Sequence, residues 1–322
     1  MKKILICGAT GFIGRNLTDH FAALSGYEVH AVWHKRTPFE NDNVTWVQGD
    51  LRKIEDVERL VEKMDIIVQA ASTTSGSKDI VNRPYLHVTD NAVMNSLLLR
   101  ASFDHHVSHF IFFSCTVMYP TSEKPLSETD FDASQELHSH YFGVGWTKVY
   151  IEQMCEFFAR MGSTKYTVLR HSNIYGPYDK YDLERSHVFG ATITKVMQAT
   201  DKITVWGTGE EERDLLHVDD LVRMVKQSIK HQQTPYELFN CGLGKAISIR
   251  ELVETIVRLS GKSLDIEHDL SQPSIKTSLF LDCSKAKKQL NWSPEVSIEE
   301  GIHRTLDWYK DTYSTKNLEI LK

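Results

Sequence analysis

Three groups of residues have types and spacings suited to chemistry. The first is Gly8-Ala9-Thr10-Gly11-Phe12-Ile13-Gly14, which follows the apolar run Ile4-Leu5-Ile6-Cys7 and opens a helical pattern over 15–24. A strand, a glycine turn and a helix start in that order form a pyrophosphate cradle. Gly8 allows a tight turn, Gly11 has no Cβ to block the phosphates, Gly14 lets the helix sit close to the strand, and orphan N–H groups face the anion. A glycine-rich turn with no ligand is the plain alternative. The second group is basic: His34-Lys35-Arg36 ends a strand-like run over 28–33, and Arg15 supplies a further cation. At that strand end a dinucleotide fold meets the adenosine ribose. A carboxylate there suits NAD, whereas Arg or Lys suits a 2′-phosphate, so the residues point to NADP before NAD, or to a solvated basic turn. The third group is Lys148 and Glu152, at i and i+4 of a helical pattern over 142–160, a spacing that pairs them across one turn if both face solvent.

The elements that must position these groups alternate. Strand-like runs over 44–48, 66–69, 109–113 and 166–170 are separated by helical patterns over 54–63, 85–102 and 142–160. That order predicts an α/β fold, a Rossmann-type doubly wound parallel sheet with a smaller C-terminal substrate-binding lobe. In Gly49-Asp50-Leu51, Asp50 is placed either to accept from an adenine amino group or to cap the helix that follows. Ala70 and Ala71 are small enough for the chain to pass close to a cofactor, and Ser114-Cys115-Thr116 leave the end of the next strand. Beyond His171-Ser172-Asn173-Ile174-Tyr175-Gly176-Pro177 the alternation loosens, helical stretches over 221–229 and 249–259 are expected in the smaller lobe, and 298–313 is a last amphipathic helix. The expected division is a dinucleotide-binding domain over 1–174 and a mainly substrate-binding lobe over 175–322, with some chain returning to the sheet. Arg213 follows Glu210-Glu211-Glu212, and is either a fork for a substrate diphosphate or a salt bridge to those glutamates. Asp219 and Asp220 are expected to cap the helix beginning at Leu221.

Composition removes several classes of function. A chain of 322 residues can bury a large core, and its net charge of −6 leaves no basic stripe for nucleic acid. The five cysteines are odd in number and lack paired spacing, which argues for a reducing cytoplasm and against a disulfide framework or a zinc site. No apolar run is long enough to cross a bilayer. His105-His106 and His138-Ser139-His140 have no carboxylates or cysteines at ligand spacing, so no metal is expected.

Taken together, the Gly8 to Gly14 turn, Gly49-Asp50-Leu51, Asn91 in its helix, the strand ending at Ser114, Lys148 with Glu152, Arg170 with Asn173-Ile174-Tyr175-Gly176-Pro177, and Arg213-Asp214 with His217-Val218-Asp219-Asp220 resemble the extended short-chain dehydrogenase/reductase family. The resemblance covers nearly the whole chain and points to the nucleotide-sugar epimerases, dehydratases and ketoreductases. It implies hydride transfer between a sugar carbon, often C4, and a nicotinamide. It also implies a tyrosine that carries the hydroxyl proton, a lysine one turn later on the nicotinamide ribose, and a Ser or Thr at a strand end that holds the reacting oxygen. By the same resemblance Thr10, Phe12, Ile13, Leu51, His171 and Asn173 belong to the cofactor site, and Asn173, His187 and Arg213 to the substrate site.

Aligned on Lys148 and Glu152, the tyrosine position is Val144, and the strand-end Ser/Thr position is Cys115, flanked by Ser114 and Thr116. Three accounts follow. Tyr141, one turn earlier, fills the space; or Thr116, Tyr119, His187 or a water chain relays the proton; or the chain binds its ligands without turnover. A closer resemblance lies in Gly176-Pro177-Tyr178-Asp179-Lys180-Tyr181-Asp182 and Ser186-His187-Val188, which look like the matching segment of the GDP-fucose synthases. It implies His187 as an acid beside a sugar carbonyl. The partner cysteine's place is taken by Val117, which leaves oxidation or reduction at C4 of a GDP-sugar. The resemblance further implies a homodimer built on the helices that start near Tyr85 and Phe142.

Overall fold

The computed structural model describes residues 1–73, 83–183, 186–271 and 278–314. Residues 184 and 185, inside the segment that resembles the GDP-fucose synthases, lie outside the described residues. The strands are β1 (Lys2–Cys7), β2 (Tyr27–Trp33), β3 (Val44–Gln48), β4 (Ile66–Gln69), β5 (His109–Ser114), β6 (Lys165–His171), β7 (Asn173–Tyr175), β8 (Lys202–Trp206), β9 (Glu212–His217), β10 (Tyr236–Cys241), β11 (Ala246–Ser248) and β12 (Asp265–Asp269). The α-helices are α1 (Phe12–Ala22), α2 (Ile54–Val61), α3 (Thr89–Asp104), α4 (Phe142–Met161), α5 (Val188–Gln198), α6 (Val218–His231), α7 (Ile249–Ser260), α8 (Ser284–Leu290) and α9 (Ile298–Ser314).

Seven strands form one parallel sheet in the order β10-β6-β5-β4-β1-β2-β3. Strand β1 is buried on both faces from Ile4 to Cys7 because helices cover both sides of the sheet. Alternate residues supply the two cores. Ile4, Ile6, Val68 and Ile111 pack with Leu17 and Phe21 of α1, Leu221 and Val225 of α6 and Leu290 of α8. Leu5, Ile67, Phe110 and Phe112 pack on the other face with Leu60 of α2, Leu98 of α3 and Ile151 of α4. The strand order reverses at β1, with β2 on one side and β4 on the other, and the crevice at that point is where such sheets bind ligands.

A third core lies beyond β6. Phe189 and Ile193 of α5, Ile203 and Val205 of β8, Leu252 and Ile256 of α7 and Ile302 and Leu306 of α9 fill it. Around it run a three-stranded sheet, β11-β9-β7, and a two-stranded one, β12-β8. Strand β10 returns to the large sheet and pairs with β6 from Tyr236↔Tyr166 to Cys241↔His171.

Two local expectations change. The helix expected over 85–102 is a 3-10 turn, Pro84–His87, followed by α3. The cap of α6 is His217, whose side chain accepts from the Asp219 N–H at 3.3 Å, so neither aspartate is the cap. Asp220 is buried and turns inward, accepting the Glu295 and Val296 N–H groups at 3.0 Å each and pairing with Arg223 at 2.6 Å. Asp219 pairs with Arg304 of α9 at 3.0 Å. Both carboxylates still sit in the first turn, where the helix dipole favours them.

Candidate active site

The glycine loop has the shape a pyrophosphate requires. Gly8 has φ +73°, and a Cβ on it would lie 2.7 Å from the Ala71 N and Cα atoms. A Cβ on Gly14 would lie 2.1 Å from the Gly8 carbonyl oxygen, so helix and strand can approach only if that position is glycine. A Cβ on Gly11 would meet only the Gly8 oxygen, at 3.2 Å, and otherwise open space. No side chain caps α1, so its first amides, from Phe12, Ile13 and Gly14, stay available to an anion. Thr10 carries the loop outward, its carbonyl accepting from Arg36 Nη1 at 2.9 Å. Ala70 and Ala71 form the opposite wall, held by Ala70 N–H to Cys7 O at 3.2 Å and Ala71 N–H to Gln69 Oε1 at 3.1 Å. These features fit a dinucleotide.

Around the adenosine end, His34, Lys35 and Arg36 are exposed. Asp50 does not cap α2 and is engaged by its neighbour. Three Arg52 N–H groups hold its carboxylate, at 3.1, 2.9 and 2.9 Å, and Arg52 keeps its pKa far below the usual carboxylate range. The N-cap of α2 is Lys53. Leu51 packs its side chain into the core, leaving only its backbone for a ligand. Arg15 is likewise engaged: its guanidinium lies between the rings of Phe39, at 3.9 Å, and Tyr178, at 4.1 Å. With Asn16 Nδ2 donating to Pro177 O at 3.0 Å, it ties α1 to the loop after β7.

The pair expected between Lys148 and Glu152 does not form on the surface. Glu152 is 1% exposed and receives Arg170 Nη2 at 2.7 Å and Nε at 3.0 Å, with the Ser114 hydroxyl at 2.5 Å. A buried guanidinium demands a counter-charge, and that demand draws the glutamate inward. Ser114 therefore lies behind the crevice, fully buried, with its hydroxyl committed to Glu152. Tyr119 is also committed. Its hydroxyl donates to Asn240 Oδ1 at 2.8 Å and accepts from Arg170 Nη1 at 3.0 Å, and burial pushes its pKa up to about 12.

Lys148 reaches the carboxyl edge of the sheet, where Nζ donates to the Phe113 carbonyl at 2.7 Å. Cys115, Thr116, Val144 and His171 share its intermediate exposure, and His187 stands exposed at the N-cap of α5. The charges of Cys115 and Lys148 act on each other, as do those of Lys148 and His171 and of His171 and His187, so the structure brings these four together. Burial is the largest influence on each. It raises the Cys115 thiol against the pull of Lys148, lowers Lys148, lowers His171 to about 4, and lowers His187.

Tyr141 is the N-cap residue of α4, its ring tilted 5.6 Å from that of His138, and its phenol acts electrostatically on Arg213. Burial lowers the Arg213 pKa, Tyr141 and Glu211 oppose that, and Nη1 donates to the Glu212 carbonyl at 2.7 Å. Asn173 is exposed at the start of β7, with Nδ2 on Asp214 O at 3.3 Å. Asp214, which carries no side-chain role in the sequence reading, is fully buried and accepts N–H groups of Leu243, Gly244 and Leu281. Its partners lie 29 to 67 residues away, so no local pattern announces it. Asn91 has the same kind of role, with Oδ1 accepting the Thr73 N–H at 2.9 Å and Nδ2 donating to Thr73 O and His87 O. Among the described residues there is no cluster of potential metal ligands.

A family model described as the NAD dependent epimerase/dehydratase family matches residues 4–242. The chain belongs to that family. A GDP-L-fucose synthase of Azorhizobium caulinodans is 30% identical over 320 residues, covering 96% of each chain. A UDP-glucuronate 4-epimerase of Thermodesulfobacterium geofontis is 27% identical over 338 residues, covering 100% of this chain and 99% of its own. Among solved structures, UDP-glucose 4-epimerase of Thermotoga maritima with UDP-glucose superposes with a TM-score of 0.85 at 27% identity, over 96% of this chain and 99% of that one. Family and relatives are NAD(P)-dependent enzymes, so the account without turnover is not favoured.

Proposed function

We propose that the protein binds NADP in preference to NAD across the carboxyl edge of the sheet and interconverts hydroxyl and carbonyl at C4 of a GDP-linked sugar, as a reductase or epimerase. The observation that carries this reading is Lys148 Nζ anchored on the Phe113 carbonyl, on the same sheet edge as the uncapped glycine cradle. The nicotinamide, when bound, supplies or accepts the hydride. Lys148 is placed for its ribose, and Arg36, fixed to the loop through Thr10, for a 2′-phosphate. Arg213 and Asn173 serve the sugar diphosphate, where a planar guanidinium matches paired phosphate oxygens. The GDP preference rests on the full-length similarity to GDP-L-fucose synthase and on the Ser186-His187-Val188 segment.

We assign 1–174 to the dinucleotide domain and 175–322 mainly to the sugar-binding lobe. A cytoplasmic homodimer suits five free cysteines and the exposed apolar residues Tyr85 and Val93 near and on α3 and Tyr150, Phe157 and Met161 on α4. No described helix is long and apolar enough to cross a membrane. The test is to incubate the protein with NADP(H) or NAD(H) and a panel of GDP-, UDP-, CDP- and dTDP-sugars, following nicotinamide absorbance and product mass. Turnover confined to GDP-sugars with NADP(H) supports the reading. No turnover on any of them refutes it.

A further inference from the structure

We propose that Nε2 of His171 accepts and returns the hydroxyl proton, in place of the phenol that Val144 does not supply. The inference rests on the function proposed above. The β5–β6 ladder ends at Ser114↔Arg170, and the residues that follow are Cys115, just past β5, and His171, the last of β6, so His171 stands at the carboxyl edge of the sheet beside the strand-end position.

Its tautomer is fixed. Nδ1 lies 2.7 Å from the Ser172 carbonyl oxygen, which can only accept, so Nδ1 carries the hydrogen and Nε2 keeps its lone pair. Nε2 has no hydrogen-bond partner among the described residues. The ring meets Phe113 at 6.2 Å, edge to face, and the carbonyl of that same Phe113 holds Lys148. The imidazole is held against the Phe113 ring, within electrostatic reach of Lys148.

Two of the rival groups are occupied. Ser114 and Tyr119 are committed to the Glu152–Arg170 cluster, and Tyr141 lies by Arg213. Burial makes the Cys115 thiol a weaker acid. The charged and titratable groups that act on His171 are Lys148 from α4 and His187 from the start of α5, and both disfavour its protonation, as burial does. The free protein thus presents a neutral imidazole near pH 7, as a proton acceptor must. Two bound diphosphates would bring negative charge into the crevice and raise its basicity toward the working pH.

In the oxidising direction the sugar O–H bond breaks, the proton passes to Nε2, and the oxygen electron pair becomes the second carbonyl bond as the carbon-bound hydrogen leaves with its electrons to the oxidised nicotinamide. Reduction returns the proton from the imidazolium to the oxygen.

The test uses His171→Asn, which keeps an N–H for the Ser172 carbonyl and offers no base, with Tyr141→Phe beside it. The first readout is the nitrogen NMR spectrum of the ligand-free wild type. An Nδ1–H tautomer titrating well below the ordinary histidine value supports the proposal, and an Nε2–H tautomer overturns it. The second is turnover of GDP-L-fucose, UDP-glucose and UDP-glucuronate with NADP and NAD. His171→Asn should lower kcat by about 100- to 10,000-fold, with partial rescue by added imidazole. Undiminished turnover in His171→Asn overturns the inference alone, whereas no turnover by the wild type overturns it together with the functional reading.

Discussion

Glu152→Gln is the sharpest perturbation of the scaffold behind the crevice. Glu152 and Arg170 have side chains 1% and 5% exposed, at 2.7 Å, and the carboxylate also receives Arg170 Nε and the Ser114 hydroxyl. Without that charge Arg170 keeps only the Tyr119 hydroxyl at 3.0 Å and the Glu128 carbonyl at 3.1 Å, neither of which neutralises it. Breaking a buried ion pair by removing one partner costs about 3–5 kcal/mol. Glutamine retains one accepting oxygen, so the loss should lie near the lower end, about 3 kcal/mol, a large part of the roughly 5–15 kcal/mol of a typical fold. Urea denaturation of the ligand-free protein reads this as a lower midpoint at unchanged slope. The double variant Glu152→Leu with Arg170→Met removes both charges and should recover most of the loss. A loss under about 1 kcal/mol for Glu152→Gln would refute the claim that the pair is desolvated and tightly coupled.

Two further outcomes follow from single side chains. Arg36→Ala should weaken NADP about 10- to 100-fold and leave NAD unchanged in calorimetric titration, since a charged hydrogen bond to a 2′-phosphate contributes about 1.5–3 kcal/mol. Equal effects on both dinucleotides would show that Arg36 serves only the loop. Asp179 has a buried Oδ2 without a partner, and burial raises its pKa to about 7 from 3.8. Between those values the folded state binds the extra proton, so stability falls as pH rises from about 4 to about 7. Asp179→Asn should therefore gain on the order of 2 kcal/mol at pH 8 relative to the wild type and nothing at pH 4, measured by urea midpoints at the two pH values.

The sheet was legible because its signals are local. Ile4 to Cys7 before the glycine turn, and the alternation of buried runs with amphipathic helices, need no distant partner to be read. The helix α7 emerged in the smaller lobe for the same reason and α9 as a helix, whereas α6, expected in that lobe, packs its Leu221 and Val225 on the large sheet. What the sequence hid are side-chain directions set by distant groups. Spacing alone pairs Lys148 with Glu152, but Arg170 on β6 claims the glutamate and the Phe113 carbonyl claims the lysine. Asp220 reads as a cap until the backbone at 295–296 is seen to need its oxygens. Arg15 reads only as a cation near the phosphates, and its contacts with the Phe39 and Tyr178 rings come from distant parts of the chain. His171 showed only its place in a motif, because its tautomer depends on a carbonyl that faces it only in the folded chain.

The account depends on a dinucleotide lying against Gly8, Gly11 and Gly14 with its nicotinamide end at Lys148. Calorimetric titration of the full chain with NADP tests this most directly, with Gly11→Val as the control because its Cβ would project into the open side of the loop. The expected result is one site per chain at micromolar affinity, lost in the variant. No binding by the wild type at millimolar NADP or NAD, or equal binding by Gly11→Val, would contradict it.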